Sequence, residues 1–226
     1  MELTLTPRLK AIADRVPEGC RFADIGTDHA YLPVWLLLQG KISCAIAADL
    51  REGPLSRARK TAERFGVAER TSCRLCDGLT GINADEVDAV AIAGMGGETI
   101  AMILEAAEWT RHGTKLFLQP MTSFQDLRFW LQKNGYSIQE ETIVREGKRL
   151  YTILTVVGGE MDELSPAELW VGRQSADPLR REYLEFMAGK VSKALAGQSV
   201  SKNRDEALAA ELSAALSGIK EMQKEL

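Results

Sequence analysis

Long apolar runs are missing from this sequence: no stretch approaches the ~20 residues that a membrane-spanning helix needs. The opening segment from Met1 to Lys10 carries charge and lacks an apolar core, so no secretory signal is read there and a cytoplasmic protein is expected. Cysteine is scarce. Cys20, Cys44, Cys73 and Cys76 are the four present, and small buried thiols are the expected reading. Cys73-Arg74-Leu75-Cys76 has the spacing of half a zinc site, but there is no second pair and only His29 and His112 to assist, so neither a metal nor a redox role is expected. Positive charge is not in excess either. A formal net charge of -4 and an isoelectric point of about 5.4 argue against a generally basic nucleic-acid footprint. Local clusters remain, with Arg145, Lys148 and Arg149 in one turn and Arg180, Arg181, Lys190 and Lys193 farther on.

What is present suits one ordinary domain with an appendage: 226 residues, 45% of them hydrophobic and 27% charged. The chain is organised around Phe22-Ala23-Asp24-Ile25-Gly26-Thr27-Asp28-His29-Ala30-Tyr31-Leu32-Pro33. An apolar run ending in an acid and a glycine, then polar residues, then a long apolar segment, reads as strand, tight turn and helix. In an open parallel sheet this is where a nucleotide-like ligand docks. A dinucleotide needs three glycines in the turn, so that the backbone can approach the pyrophosphate. Only Gly26 is here, with Asp28 and Ala30 where more glycine would fall, and Asp24 and Asp28 would repel a diphosphate. A cationic, phosphate-free ligand is better tolerated. S-adenosylmethionine fits, with its sulfonium, its ammonium and its ribose hydroxyls, making Asp24, Gly26, Thr27, Asp28 and His29 candidate contacts.

Taken in order, Thr6-Pro7 starts a helix whose Leu9, Ile12, Ala13 and Val16 keep helical spacing, and Arg8 is placed to reach a carboxylate at the ligand mouth. The small apolar run from Ile42 to Ala48 reads as a strand covered on both faces. It ends in Asp49, an acceptor for both ribose hydroxyls, with Leu50 beside it. A helix from Pro54 to Phe65 and a strand from Thr71 to Leu75 lead to Cys76-Asp77-Gly78, where Asp77 can accept from an adenine amine and Gly78 turns the chain away. The central strand, Val87 to Ala93, delivers Gly94-Met95-Gly96-Gly97, read as a loop before a helix from Glu98 to Ala107. Ala93 and Gly94 are candidates for the cofactor side, and Gly94 and Met95 for framing a flat ligand. A fifth strand, Lys115 to Gln119, ends in Pro120, Ser123 is expected to cap a helix reaching Lys133, and strands follow at Tyr136 to Val144 and Arg149 to Val157.

This order is that of a Rossmann-like α/β methyltransferase, with Gly26, Asp49, Asp77, Gly94 and Gln119 on one rim. Gly158-Gly159 marks a boundary, giving a catalytic domain over 1–159 and an appendage over 160–226. In the appendage Leu184, Met187, Val191 and Ala194, then Leu208, Leu212, Ala215, Ile219, Met222 and Leu226, follow helical spacing on either side of Gly197-Gln198-Ser199. An antiparallel coiled-coil hairpin is expected, serving packing, dimerisation or a substrate arm.

With Asp24 to Pro33, Ile92-Ala93-Gly94-Met95-Gly96-Gly97 and Leu118-Gln119-Pro120 assembled, the chain resembles the bacterial tRNA adenine-22 N1-methyltransferase family. The resemblance covers residues 1–157 by motif and the remainder by layout. It implies a class I S-adenosylmethionine-dependent fold and methyl transfer to N1 of an adenine in the D-arm region of tRNA. The Asp-Pro-Pro-Tyr type tetrapeptide of many amino-directed nucleic-acid methyltransferases is absent, and Gly94-Met95-Gly96-Gly97 stands in its place. Adenine N1 already carries an in-plane lone pair, so positioning matters more than a strong base. The expected catalytic set is Gly94 and Met95 framing the base, Gln119 offering its amide to the base edge, and His29 or Asp28 bordering the methyl donor. A monomer that needs no metal is expected, its hairpin a candidate tRNA contact. Alternative readings are a methyltransferase of a small molecule or protein, and a non-catalytic tRNA-binding adaptor.

Overall fold

The structure is a computed structural model that describes residues 3–174, 176–200 and 205–226, with Ser199 by its backbone alone. Helix α1 (Pro7–Arg15) precedes β1 (Cys20–Ile25), α2 (Tyr31–Leu38), β2 (Ile42–Asp49), α3 (Glu52–Arg64) and β3 (Thr71–Leu75). Then come β4 (Ala89–Gly96), α4 (Gly97–Glu105), β5 (Lys115–Thr122), α5 (Phe124–Lys133) and the hairpin of β6 (Tyr136–Glu146) and β7 (Arg149–Gly158). The chain closes with α6 (Pro166–Val171), α7 (Arg180–Val200) and α8 (Glu206–Lys224). The strands form one seven-stranded sheet in the order β3-β2-β1-β4-β5-β7-β6. The first five are parallel, and β7 and β6 add antiparallel at the edge. The small apolar strands predicted for both-face burial are the central ones, with Ala23, Ala47 and Val90 fully covered. Side chains of α1, α2 and α3 cover one face, and those of α4 and α5 the other.

Several local expectations are corrected. Gly94, Met95 and Gly96 belong to β4 and are not a free loop, because Met95 and Gly96 still pair with Pro120 and Thr122 of β5 across an irregular register. Helix α3 begins at Glu52, with Pro54 inside its first turn, where a missing N–H goes unnoticed. Neither Thr6 nor Ser123 caps by its side chain; Ser123 has a left-handed backbone, and its carbonyl oxygen accepts from Leu127 N. Helix α7 runs through Gly197 to Val200, and the segment 201–204, where the link between the last two helices falls, lies outside the described residues. The apolar stripe also shifts: Ala194 is exposed and Leu195 packs inward, while Ala209 is buried and Leu208 and Leu226 are exposed.

Helix α6 was not foreseen, although Ser165-Pro166-Ala167-Glu168 carries its signature. Ser165 Oγ accepts from Glu168 N, and the Glu168 carboxylate accepts from Ser165 N. The last three helices share a core with the sheet edge, in which Val171, Leu184, Met187, Leu212 and Ile219 meet Ile143. Under this core the fully buried Arg128 of α5 donates through Nε and Nη2 to Glu141 of β6 (2.9 and 3.1 Å) and through Nη1 to the carbonyl of Leu169 (3.0 Å).

Candidate active site

The parallel strands deliver their last residues to one rim, as the right-handed crossover predicts. At the end of β1, Gly26 takes φ +72°, and Gly26 N and Thr27 N donate to the Ala48 carbonyl (2.8 and 3.0 Å), tying the turn to β2. Thr27 Oγ1 accepts from Ala30 N (3.1 Å) and so holds the left-handed Ala30 that opens α2. Asp24 and Asp49 are both buried. Burial pushes the Asp24 carboxyl up to about 6, the Thr27 hydroxyl opposing and the charge of Asp49 adding to the shift. No cation reaches Asp24 among the described residues. Asp49 accepts from Arg51 N (2.8 Å), and Leu50 beside it is 65% exposed.

Asp28 points outward and ion-pairs with Arg57, whose hydrogen bond holds the carboxyl below its ordinary range. The neighbouring His29 stacks on Tyr31, with ring centroids 4.9 Å apart. Asp77 is exposed beyond β3, its carbonyl accepting from Thr80, and Gly78 at φ +55° presses its turn onto Ile103 of α4.

The other half of the rim is built from β4, β5 and the edge hairpin. Gly94 is exposed at φ +81° and donates its N–H to Gln119 Oε1 (3.1 Å). The side-chain methyl of Met95 fills the space that a Cβ at Gly26 would need, so this thioether lies over the β1 turn. Gln119 is fully buried, and its amide is committed inward: Oε1 also accepts from Arg8 Nη1 (2.7 Å), and Nε2 donates to the Pro120 carbonyl (2.8 Å). The expected hydrogen bond from Gln119 to a ligand edge is therefore not the bond this geometry offers; the amide joins Arg8 to Gly94. Arg8 meets the carboxylate of Glu146, which accepts from Arg8 N (3.2 Å), and its guanidinium lies over the Tyr151 ring at 5.2 Å. Glu146 and Tyr151 went unread in the sequence because nothing local marks a strand residue that meets a helix at the opposite end of the chain.

Acids thus line the β1 and β2 side of the rim, and amide, thioether and aromatic groups the β4, β5 and β7 side. A buried carboxylate lacking a cation and a second at the next strand end suit a ligand with one ammonium and a diol. That is the donor set of S-adenosylmethionine, so the residues fit this cofactor. Among the described residues no group of His, Cys, Asp or Glu gathers to hold a metal, and no helix is long and apolar enough to cross a membrane.

Comparison with known proteins gives the family. Residues 5–154 match a protein family described as a methyltransferase domain. A Bacillus subtilis relative, the tRNA (adenine(22)-N(1))-methyltransferase, is 41% identical over 162 residues, 71% of this chain and 68% of that protein. The solved B. subtilis m1A22 tRNA methyltransferase superposes with a TM-score of 0.83 at 32% identity, over 99% of each chain. A Streptococcus pneumoniae protein solved in complex with S-adenosyl-L-methionine superposes with a TM-score of 0.84 at 34% identity, over 97% of this chain and all of that one. With buried acids at the ends of β1 and β2 of a Rossmann-like sheet, and with these matches, the chain belongs to the tRNA (adenine(22)-N(1))-methyltransferase family.

Proposed function

We propose that this chain transfers the methyl group of S-adenosylmethionine to N1 of adenine 22 in tRNA. The observation that carries the reading is the likeness to the B. subtilis m1A22 enzyme over 99% of both chains, the C-terminal helices included. Bound S-adenosylmethionine supplies an electrophilic sulfonium methyl. On the cofactor side Asp24 is the counter-ion for the ammonium, and Asp49 accepts from the ribose hydroxyls. Thr27 and Gly26 shape the turn beneath, and Leu50, Asp77 and Gly78 border the adenosine. Ala93 and Gly94 form the floor between cofactor and substrate.

The remaining groups position the base. Adenine N1 attacks with its own lone pair, so alignment supplies most of what the reaction needs. Gly94 and Met95 offer main chain and a pliable side chain to a flat ring, and Gln119 fixes Gly94 from behind. Asp28 and His29 lie on the mouth, tied to Arg57 and Tyr31. The target adenine must leave its stack to reach this depth.

The division into a catalytic domain over 1–159 and a helical arm over 160–226 is part of the proposal, with the arm facing tRNA. It is supported by Lys190 of α7, whose Nζ sits over both Phe124 (5.3 Å) and the half-exposed Phe186 (5.2 Å), a cation and aromatic pair where α5 leaves the rim. The experiment is methyl transfer from labelled S-adenosylmethionine into unmodified tRNA, followed by nucleoside analysis. The expected result is 1-methyladenosine, abolished when adenine 22 is replaced by guanine. A preparation that binds the cofactor and leaves tRNA unlabelled would overturn the reading.

A further inference from the structure

One cluster at the rim is left over once the cofactor side is assigned. Tyr151 stands on β7, opposite Val144 of β6, and the β5 to β7 ladder pairs Leu118 with Leu154. Continuing that antiparallel ladder brings Tyr151 beside Met121, just past Gln119. Tyr151 is half-buried, and the Arg8 guanidinium lies on its ring at 5.2 Å. Arg8 itself is held by Gln119, and its Nη1 would stand 3.6 Å from a Cβ at the exposed Gly94. Its Nε is buried without a hydrogen bond and faces the Glu146 carboxylate at 4.0 Å. Planar cation and aromatic ring therefore meet at the edge of Gly94, on the side away from Asp24 and Asp49.

We propose that the Arg8–Tyr151 pair is the wall against which the target adenine stacks, a role that rests on the tRNA reading above. A nucleobase is recognised by a flat π-face and by ring nitrogens that accept hydrogen bonds. With N1 turned to the methyl donor, adenine presents its flat face to this pair, while Arg8 Nε stays turned to Glu146 at 4.0 Å. The competing stack, His29 on Tyr31, sits on the α2 side of the mouth and is already closed on itself at 4.9 Å. The chemistry thus divides: acids for the cofactor, guanidinium and aromatic ring for the base.

The test uses the full chain and a tRNA carrying 2-aminopurine at position 22, whose fluorescence is quenched by stacking, with methylation kinetics on normal tRNA alongside. Tyr151→Phe keeps the ring and is expected to retain both quenching and kcat/KM. Tyr151→Leu is expected to lose the quenching and to lower kcat/KM for tRNA by about tenfold to a hundredfold, with cofactor Kd and Tm near wild type. Arg8→Lys, which keeps charge but not the planar face, is expected to fall between them. Normal wild-type turnover together with full quenching in Tyr151→Leu would sink the stacking wall while leaving the methyltransferase reading intact. So would quenching lost in Tyr31→Leu instead. A Tyr151→Leu protein that lost cofactor binding and thermal stability in equal measure would show a structural role and likewise overturn the proposal. A wild-type protein that formed no 1-methyladenosine would overturn both readings.

Discussion

Asp24 sets the pH behaviour of the site. Its folded carboxyl keeps a proton up to about 6, whereas an unfolded aspartate releases it near about 3.9. Between those values the folded chain holds more protons than the unfolded one, so cofactor-free stability falls as pH rises through that window and stays low above it. Asp24→Asn is therefore expected to raise the Tm of the cofactor-free protein at pH 8 while removing most of its affinity for S-adenosylmethionine. In the wild type a cationic ligand favours the ionised acid, so affinity measured by calorimetry should weaken as pH drops below about 6 and plateau above it. An affinity flat from pH 5 to 8 would show that Asp24 does not face the ammonium. Gln119 gives a second test. Gln119→Leu leaves Gly94 N and Arg8 Nη1 without their acceptor. It should destabilise by about 1–3 kcal/mol and slow turnover by about tenfold to a hundredfold, while cofactor Kd changes little; Gln119→Glu, which keeps the acceptor, should recover most of both. The place of Asp24 and Asp49 at buried strand ends was legible because each closes a small apolar run. The inward commitment of Gln119 was not, since its partner Arg8 lies 111 residues away.

Among the elements, α4 and α5 start against one another. A Cβ at Gly97 would fall on the Ser123 carbonyl oxygen, main chain that cannot swing aside, and would also crowd Leu127 at 3.0 Å. Gly97→Ala should thus lower the urea midpoint, by about 1–3 kcal/mol in free energy, and disturb the Gly94 segment that ends in this contact. An unchanged midpoint would mean that the two helix starts part easily. Most strands and helices were readable to within a turn, because alternation of small apolar runs with amphipathic stretches specifies them. Two of the misreadings share one cause. Glycine and proline were taken as breaks, yet pairing with β5 keeps Gly94 and Gly96 in a strand, and a lone glycine, which costs about 1 kcal/mol in a helix, does not stop α7 at Gly197.

At the scale of the whole molecule, Arg128 and Glu141 lock helix α6 to the sheet edge. Both side chains are nearly water-free, at 0% and 4% exposure, and Arg128 also binds the carbonyls of Leu169 and Trp170. Removing one partner of such a pair strands the other charge. Glu141→Leu is expected to destabilise by about 3–5 kcal/mol and to make residues 160–226 susceptible to limited proteolysis before the sheet is cut. Deleting 160–226 outright should expose Ile143 and leave two carbonyl bonds of Arg128 unmade, so a soluble, fully stable fragment would contradict this account. The hairpin's existence was foreseeable from its spacing, but its anchoring was not, because a buried ion pair leaves no periodic trace in sequence.

The meeting of α1 with the β6–β7 hairpin has a temporal consequence. Arg8 N bonds to Glu146 across 138 residues, and Arg15 bonds to Glu140 across 125. During vectorial synthesis β1, β2 and β3 can emerge and pair while α1 still waits for its seat, and long-range closure of this kind is slow. Asp24 and Asp49 can meet early, whereas Arg8 is seated only once the β6–β7 hairpin has emerged. A growing chain therefore brings the acids of the rim together before the cation that faces them across Gly94 is seated.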